Sequence, residues 1–219
     1  MYPEINNNPN ITTPQIIRDM VDKNIISPVI EQKTSVGTSI NNLSVTAGSK
    51  TEFNWFPTET GSASIIMPEK SFIWETNNQY VLREQVLRYT KNGKPQEIVQ
   101  DGAHTTVYLW GYKYQYPVAV IQNATYQEVK TALGNGVIES IAAKAEPSSS
   151  DLQAINNLRG IMSNSLISSY TYKPHIGITS MTQPSGATVN YVYDSFGRLK
   201  YVKDIDGNTL NENQYHYAQ

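Results

Sequence analysis

The chain has 219 residues, a formal net charge of −2 and 15 tyrosines, but no cysteine and only 16% charged residues. The lack of cysteine excludes a disulfide framework, a thiol nucleophile and a zinc site with cysteine ligands. The scattered Lys and Arg residues and the slightly acidic charge argue against a nucleic-acid-binding surface, which would be basic.

The first predicted element is a short amphipathic helix from Pro14 to about Lys23. Thr13 is its expected N-cap, and Pro14 suits the first helical position. Apolar residues then recur at helical spacing, at Ile16, Ile17, Met20 and Val21. This stripe predicts a helix face that packs on a core.

Residues 25 to 84 have the pattern of antiparallel strands. Short runs rich in β-branched and aromatic residues are separated by glycine and proline. The runs are SPVIEQKTSV, SINNLSVTAG, KTEFNWFP, SASIIMP and YVLREQVLRYT. The expected aromatic core of this region consists of Trp55, Phe56, Phe72 and Trp74.

A small helical insertion is predicted between Asn123 and Ser165. Its three helical segments are ATYQEVKTALG, which Gly134 closes, then GVIESIAAKAE, and SSSDLQAINNLRGIMSNSL, with Ser150 as the expected N-cap. No cluster of His or carboxylate residues accompanies these helices, so no cofactor is predicted.

Three segments align on their glycines and predict an internal repeat. They are RYTKNGKPQEIVQDGAHTTVYLW at 88–110, TYKPHIGITSMTQPSGATVNYVY at 171–193, and VYDSFGRLKYVKDIDGNTLNENQYHY at 192–217. The period of about 22 residues lies in the range of stacked arrays, in which one unit cannot bury its face alone. Gly197 and Gly207 are expected to have positive φ angles in hairpin turns.

The segment YDSFGRLKYVKDIDGN resembles the YD repeat of the Rhs family. Tyr193, Asp194, Gly197, Arg198 and Gly207 match its Tyr-Asp pair, its Gly-Arg pair and its second turn glycine. The other two units retain the glycines and aromatic residues but lack both pairs. The preceding Tyr-rich strand and helical insertion are also similar to the C-terminal part of large bacterial surface-type Rhs proteins. The resemblance covers about residues 28 to 219.

This resemblance implies a structural role. Rhs and related toxin proteins wind YD hairpins into a hollow β shell around a C-terminal toxin, and some carry an autoproteolytic segment with catalytic acidic residues. The sequence stops at QYHYAQ without either feature, so it is interpreted as a C-terminal fragment of a surface or toxin-delivery Rhs protein, or as a truncated paralogue of one. Shell closure, cleavage and toxicity are therefore not carried over to it from the resemblance.

The expected fold is mainly β: an open, curved antiparallel array of YD-repeat hairpins with a small helical insertion and a short N-terminal helix. Residues 1–24 would hold that helix, and residues 25–110 a β meander that ends in a degenerate repeat. Residues 111–169 would form a linking strand and the insertion, and residues 170–219 two tandem YD-type repeats.

The leading functional hypothesis is a non-enzymatic structural segment. Tyr112, Tyr114 and Tyr116 alternate in GYKYQYP and would bind carbohydrate if their rings formed an exposed platform, which is the alternative function. The preferred interpretation is an aromatic ladder that continues the repeat. A hydrolase with a dispersed site is a weaker alternative, which a pocket with converging carboxylates would favour.

No metal site is predicted. The three histidines are His104, His175 and His216, and their spacing does not suit a shared metal ion. Asp204, Asp206 and Asn208 alternate as at the start of a calcium loop, but a glycine follows too soon and the bidentate Glu is missing. An Asp-Gly turn is the preferred interpretation, and folding without metal is expected.

Neither a membrane span nor a signal peptide is predicted, since the apolar runs are short and the first residues lack a basic region followed by an apolar one. The resemblance implies an extracellular or cell-surface location, whereas a standalone product would be cytoplasmic. The expected partners are neighbouring YD repeats or other strands at the C-terminal edge, with carbohydrate as the alternative. Weak self-association through Asn211–Gln219 is expected, because an exposed edge invites another strand.

Overall fold

The computed structural model describes residues 13–58, 64–75 and 77–215. It divides into two compact units, Met1–His104 and Thr105–Gln219. Within each unit, every described strand pairs antiparallel with the strand that follows it.

The described residues of unit 1 form one helix and five strands. They are α1 (Gln15–Asp22), β1 (Glu31–Ser39), β2 (Asn42–Pro57), β3 (Ser64–Trp74), β4 (Tyr80–Tyr89) and β5 (Pro95–Gln100). The strands are neighbours in chain order. Two of the predicted runs join into the single strand β2, because Gly48 does not break the ladder but pairs with Lys33 of β1.

Helix α1 docks on β2 through a tryptophan. The Trp55 indole donates a hydrogen bond of 2.7 Å to the Asp19 carboxylate, and the Lys23 ammonium lies 5.3 Å from the centre of the Trp55 ring. Pro14 is the N-cap, in an extended conformation with ψ of 143° and with no side-chain cap bond. The expectation of Thr13 as N-cap is therefore wrong by one residue.

The core of unit 1 is less aromatic than predicted. Of the four expected core residues only Phe56 is buried, and its ring meets that of Tyr89 edge-on at 4.8 Å. Trp55, Phe72 and Trp74 are half-buried, because they contact the helix or neighbouring side chains at the margins of the sheet. The buried aliphatic residues Ile66, Val86 and Ile98 complete the core.

In unit 2 the part of the chain that the structure describes forms seven strands and three helices. They are β6 (His104–Gly111, whose first residue belongs to unit 1), β7 (Tyr116–Gln122), α2 (Tyr126–Leu133), α3 (Val137–Ala143), α4 (Ser149–Ile161), β8 (Leu166–Lys173), β9 (Gly177–Thr182), β10 (Thr188–Tyr193), β11 (Leu199–Asp204) and β12 (Thr209–Glu212). The strands again pair in chain order. None of the four described helices has the length and apolarity that a membrane crossing requires.

Capping boxes fix where two helices of the insertion begin. Thr125 and Glu128 form one at α2, which ends at Gly134 as predicted. Ser148 and Asp151 form the other at α4. The predicted cap Ser150 is therefore wrong by two residues, because only Ser148 is placed to exchange hydrogen bonds with the residue three positions on.

The apolar sides of the insertion helices and the strands β6 to β8 form one core. Its fully buried members include Leu109, Ile121, Val129, Ile155 and Ile167. The prediction of a mainly β, antiparallel hairpin array with a helical insertion and a short N-terminal helix is confirmed.

Candidate functional site in the repeat turns

Four glycine turns share one hydrogen-bond pattern over five residues. The turns are Thr90–Lys94, Gln183–Ala187, Asp194–Arg198 and Asp204–Asn208. In each, the first N–H donates to the fifth carbonyl at 2.7–3.0 Å, and the N–H of the fourth residue donates to the first carbonyl at 2.9–3.2 Å. The fourth residue of these turns is glycine, with φ between 72° and 89°. The same two bonds link Glu75 to Gln79 and Asn78 to Glu75, where Asn78, with φ of 62°, takes the position of the glycine. The predicted positive φ angles of Gly197 and Gly207 are confirmed.

The alignment of the three predicted repeat units on their glycines is partly wrong. Gly102 lies in a different turn, in which Asp101 also has a positive φ and the Ala103 N–H donates to the Gln100 carbonyl at 3.1 Å. Gly177 is the first residue of β9 rather than the fourth residue of a turn. Glycine spacing alone does not distinguish turns of different length, and the alignment therefore mixes them.

The side chain of the first residue caps the turn by accepting hydrogen bonds from later residues of the same turn. One oxygen of Asp194 accepts the N–H groups of Phe196 and Arg198, both at 2.9 Å. The other oxygen accepts from the Arg198 guanidinium at 2.8 Å. The backbone N–H of Arg198 makes the largest contribution to lowering the pKa of Asp194. Burial acts in the opposite direction, but the bond from the Arg198 guanidinium lowers the pKa further, so it lies below 3.8. The motif residues Asp194 and Arg198 are thus paired within one turn.

The same cap recurs with other side chains. Asp204 accepts the Asn208 N–H and the Asn208 side-chain amide, each at 2.8 Å. Thr90 Oγ1 accepts the Lys94 N–H at 3.0 Å. Because Asp204 already binds Asn208 with both oxygens, the turn needs no calcium ion to satisfy this carboxylate.

Replacing Asp194 with alanine is expected to lower the free energy of unfolding, because two backbone N–H groups of the turn lose their acceptor and the Arg198 guanidinium loses its partner. Asp194→Asn keeps an acceptor for the two N–H groups and should cost less. Since the pKa of Asp194 is lowered in the folded chain, its contribution is present above pH 3.8 and is lost as the pH falls below that value. Urea denaturation at neutral and acidic pH measures both effects, and equal losses in the two variants would contradict the cap.

The glycines of the turns are expected to tolerate alanine poorly. Alanine at Gly197 or Gly207 should cost about 1 kcal/mol, because both have left-handed backbones. A Cβ at Gly207 would meet no atom within 4 Å, whereas one at Gly197 would lie 2.9 Å from the Ile176 side chain, so the loss at Gly197 should be the larger. Gly160, inside α4 and with open space around it, is the matched control.

Gly160→Ala should stabilise the chain by about 0.5–1 kcal/mol, because alanine is the better helix former. Thermal melting of the three variants compares them directly. Stabilisation by Gly207→Ala, as at Gly160, would show that the turn does not require its left-handed residue.

Four tyrosines form a recurring corner with the strand that precedes theirs; three of them lie within a strand, and Tyr215 lies just after β12. Each hydroxyl donates to a backbone carbonyl of that strand: Tyr89 to Pro68 at 2.6 Å, Tyr172 to Pro117 at 3.0 Å, Tyr193 to Ile178 at 2.8 Å and Tyr215 to Leu199 at 2.8 Å. In unit 2 the three corner tyrosines are 21 and 22 residues apart. The period that the glycines suggest is therefore the period of these corners.

The residue beneath the corner ring differs between repeats. A Cβ on Gly177 would lie 2.5 Å from the Tyr193 hydroxyl oxygen, so the ring requires glycine there. The Tyr215 ring instead lies over the Arg198 guanidinium at 4.3 Å, and Phe196 lies 5.3 Å from the same group. Arg198 therefore caps its own turn and supports the next corner.

The three candidate binding tyrosines do not alternate along a strand. Tyr112, Lys113 and Tyr114 form a turn with φ between 51° and 64°, and Tyr116 begins β7. The N–H groups of Lys113 and Tyr114 donate to carbonyls at the end of α3, at 2.8 and 3.0 Å. The helical insertion thus holds this turn in a conformation that the sequence pattern does not predict.

Two of these rings are too buried to form part of an exposed carbohydrate-binding platform. Tyr112 and Tyr114 are only 4% and 5% exposed. The Tyr112 hydroxyl accepts the N–H of Tyr172 at 2.9 Å, and the Tyr116 ring stacks on that of Tyr172 at 4.8 Å. Burial raises the pKa of Tyr172 to about 12. Tyr112 and Tyr116 thus support a corner tyrosine, which the sequence analysis missed although Tyr172 lies one period before Tyr193.

The described residues show no constellation for metal binding. No three His, Asp or Glu side chains among them cluster closely enough to hold an ion. His104 and His175 are exposed, and His216 lies outside the described residues. Folding without metal stays a prediction.

The described clefts do not bring carboxylates together. Each of three open clefts among the described residues is lined by at most one carboxylate, Glu128 in one and Asp194 in another. Both side chains already cap backbone N–H groups. The observation that would favour a hydrolase is not made in these clefts.

Comparisons with known proteins show a loose likeness to a solved structure. No family model matches the sequence, and no curated protein matches it. Among solved structures, the chain is similar to one described as "Crystal Structure of TcdB2-TccC3 without hypervariable C-terminal region", with a TM-score of 0.42 and 10% identity. The similarity covers 82% of this chain but only 9% of that one, and it concerns the β fold alone.

Proposed function

We propose that the chain is a non-enzymatic structural segment of an Rhs/YD-repeat β array. The observation that carries this proposal is the corner of Tyr172, Tyr193 and Tyr215, repeated at 21 and 22 residues with the same hydroxyl-to-carbonyl bond. Units that are equivalent at this level are what a stacked array is built from.

The polar groups of the motif support a structural role because they act on their own backbone. Tyr193 fixes the preceding strand, Asp194 caps the turn, Gly197 supplies its left-handed residue, and Arg198 neutralises Asp194. These contacts account for the residue types of the Tyr-Asp and Gly-Arg pairs without assigning chemistry to any of them.

The partner that we propose is the next hairpin of such an array. Among the described residues β12 pairs only with β11, and its other edge has the ladder groups that a further strand would bind. By the family resemblance the array would belong to an extracellular or cell-surface protein. Carbohydrate binding has no support from Tyr112 and Tyr114, since both are buried.

Deleting one complete period tests the proposal. Removal of residues 173–193 joins Tyr172 to Asp194, so that a corner is again followed directly by a capped turn. If the units are interchangeable, β11 takes the place of β9 beside β8, and the shortened chain should still unfold cooperatively, though at lower temperature. Circular dichroism during heating and urea titration measures this.

A deletion out of phase is the matched control. Removal of residues 173–190 joins Tyr172 to Tyr191. Three residues, 191–193, then separate the Tyr172 corner from the turn that begins at Asp194. This odd number would send the following side chains to the opposite face of the sheet, so cooperative unfolding should be lost. If both shortened chains fold, or if both fail to fold, the repeat proposal is wrong.

A further inference from the structure

The end of the first hairpin projects beyond the sheet of unit 1. β1 and β2 pair with each other up to Ser39 and Asn42 at the tip, but β2 pairs with β3 only from Ser49 onward. Residues 34–48 therefore form a two-stranded ribbon, which we call the arm. The arm has neighbours only within itself among the described strand pairings.

The base of the arm is held firmly. The Lys33 ammonium pairs with Glu31 at 2.8 Å and lies 5.4 Å from the ring centres of both Trp74 and Tyr80. The Tyr80 hydroxyl donates to Glu31 at 3.0 Å. These contacts fix the position from which the ribbon leaves the sheet, so the arm is presented to solvent in a defined direction.

The surface of the arm lacks two of the features that keep strand edges apart. Its sequence, TSVGTSINNLSVTAG, contains neither a charged residue nor a proline, whereas natural edge strands are usually protected by lysine, proline or bulges. Bulges are the feature that it does have, since the pairing of β1 with β2 shifts register between Thr34 and Ser35 and between Gly37 and Ser39. Val36, Ile40 and Leu43 are 64%, 86% and 52% exposed. A neutral, partly apolar ribbon of this kind is only marginally stable in isolation.

We propose that the β1 edge of the arm pairs antiparallel with the same edge of a second copy of this chain. Identical edges related by a two-fold axis are self-complementary. With the axis at Ser35, Lys33 of one copy faces Gly37 of the other, and Glu31 faces Ser39. No like charges then oppose each other, and the uncharged surface of each arm meets its equivalent.

The length of the edge sets the strength of this contact. β1 has nine residues, which is about 30 Å of strand, whereas a stable interface uses about 20–30 residues from each partner. The dimer should therefore be weak and concentration-dependent. It would differ from association through the C-terminal edge, where β12 has only four residues, and it does not depend on the proposed array function.

Sedimentation at rising concentration of the full chain tests the proposal with two matched variants. Val36→Lys places two ammonium groups near the axis and should raise the dimer dissociation constant about tenfold, as expected for like charges across a strand pair. Leu210→Lys changes a residue on β12 that is similarly exposed, at 58%, and should leave the dimer unchanged. Thr34→Lys is a second arm variant for the case in which Val36→Lys lowers the melting temperature.

Three results would overturn the proposal. One is a wild-type chain that stays monomeric at every concentration, which would leave the arm for a different partner. Another is a dimer that neither arm variant weakens. The third is a dimer that Leu210→Lys weakens as much as Val36→Lys does, which would assign the association to the C-terminal edge.

Discussion

Replacing Tyr172 with alanine is expected to lower the free energy of unfolding by up to about 3 kcal/mol, the lower end of the cost of truncating a large aromatic side chain in a core, because the ring is half-buried against the core of unit 2. The ring stacks on Tyr116 and meets Tyr112 edge-on at 5.7 Å. Its loss would open a cavity beneath the insertion helices, beside the turn that Tyr112 begins. Urea denaturation monitored by circular dichroism measures the change.

The hydroxyl of Tyr172 can be tested separately from its ring. Tyr172→Phe leaves the half-buried Pro117 carbonyl without its donor, which should cost about 1 kcal/mol. Tyr215→Phe removes the equivalent bond to Leu199 at a ring that is 44% exposed, where water can replace the donor. A loss at Tyr215 equal to that at Tyr172 would contradict the role of burial in the corner.

The second large effect is expected at high pH. Burial raises the pKa values of Tyr89 and Tyr172 to about 12, from 10.0 in the unfolded chain. The stability that these groups contribute is complete below pH 10 and is lost as the pH rises from 10 toward 12, because the unfolded chain releases the proton first. For Tyr89, which is 7% exposed, the loss is at most about 3 kcal/mol.

Melting temperatures recorded at increasing pH measure this alkaline loss. Tyr89→Phe removes one titrating group, so this variant should be less stable than the wild type at pH 8 yet lose less on going to high pH. A wild-type melting temperature that stays constant up to the folded-state pKa of Tyr89 would show that its phenol is solvated in the folded chain.

The strands and helices were largely predictable because their signals are local. Alternating β-branched and aromatic runs mark the strands, and Gly134 marks the end of α2. The conformation of Tyr112–Tyr116 was not predictable from its alternating pattern. Contacts with the end of α3 decide it, and α3 lies more than twenty residues away in sequence.

The candidate site likewise has a part that the sequence predicts, where the contacts are local, and a part that it does not predict, where they are long-range. Asp194, Gly197 and Arg198 interact within five residues, so the motif itself indicates their turn. The partner carbonyl of Tyr193 lies on the preceding strand, and the need for Gly177 appears only when the two strands are in register. The arm was likewise not predictable from the sequence, because it exists only where β3 does not extend alongside β2 in the folded sheet.

The pairing of β7 with β8 has a consequence for the order of folding. Gln122 and Leu166 are partners although the whole helical insertion separates them in sequence, whereas the later strands of unit 2 are joined by short turns. Closing a long loop costs more chain entropy than closing a hairpin, and contacts between distant residues slow folding. The hairpins from β8 to β12 should therefore form early. The joining of β7 to β8, with docking of the insertion, would then set the overall rate.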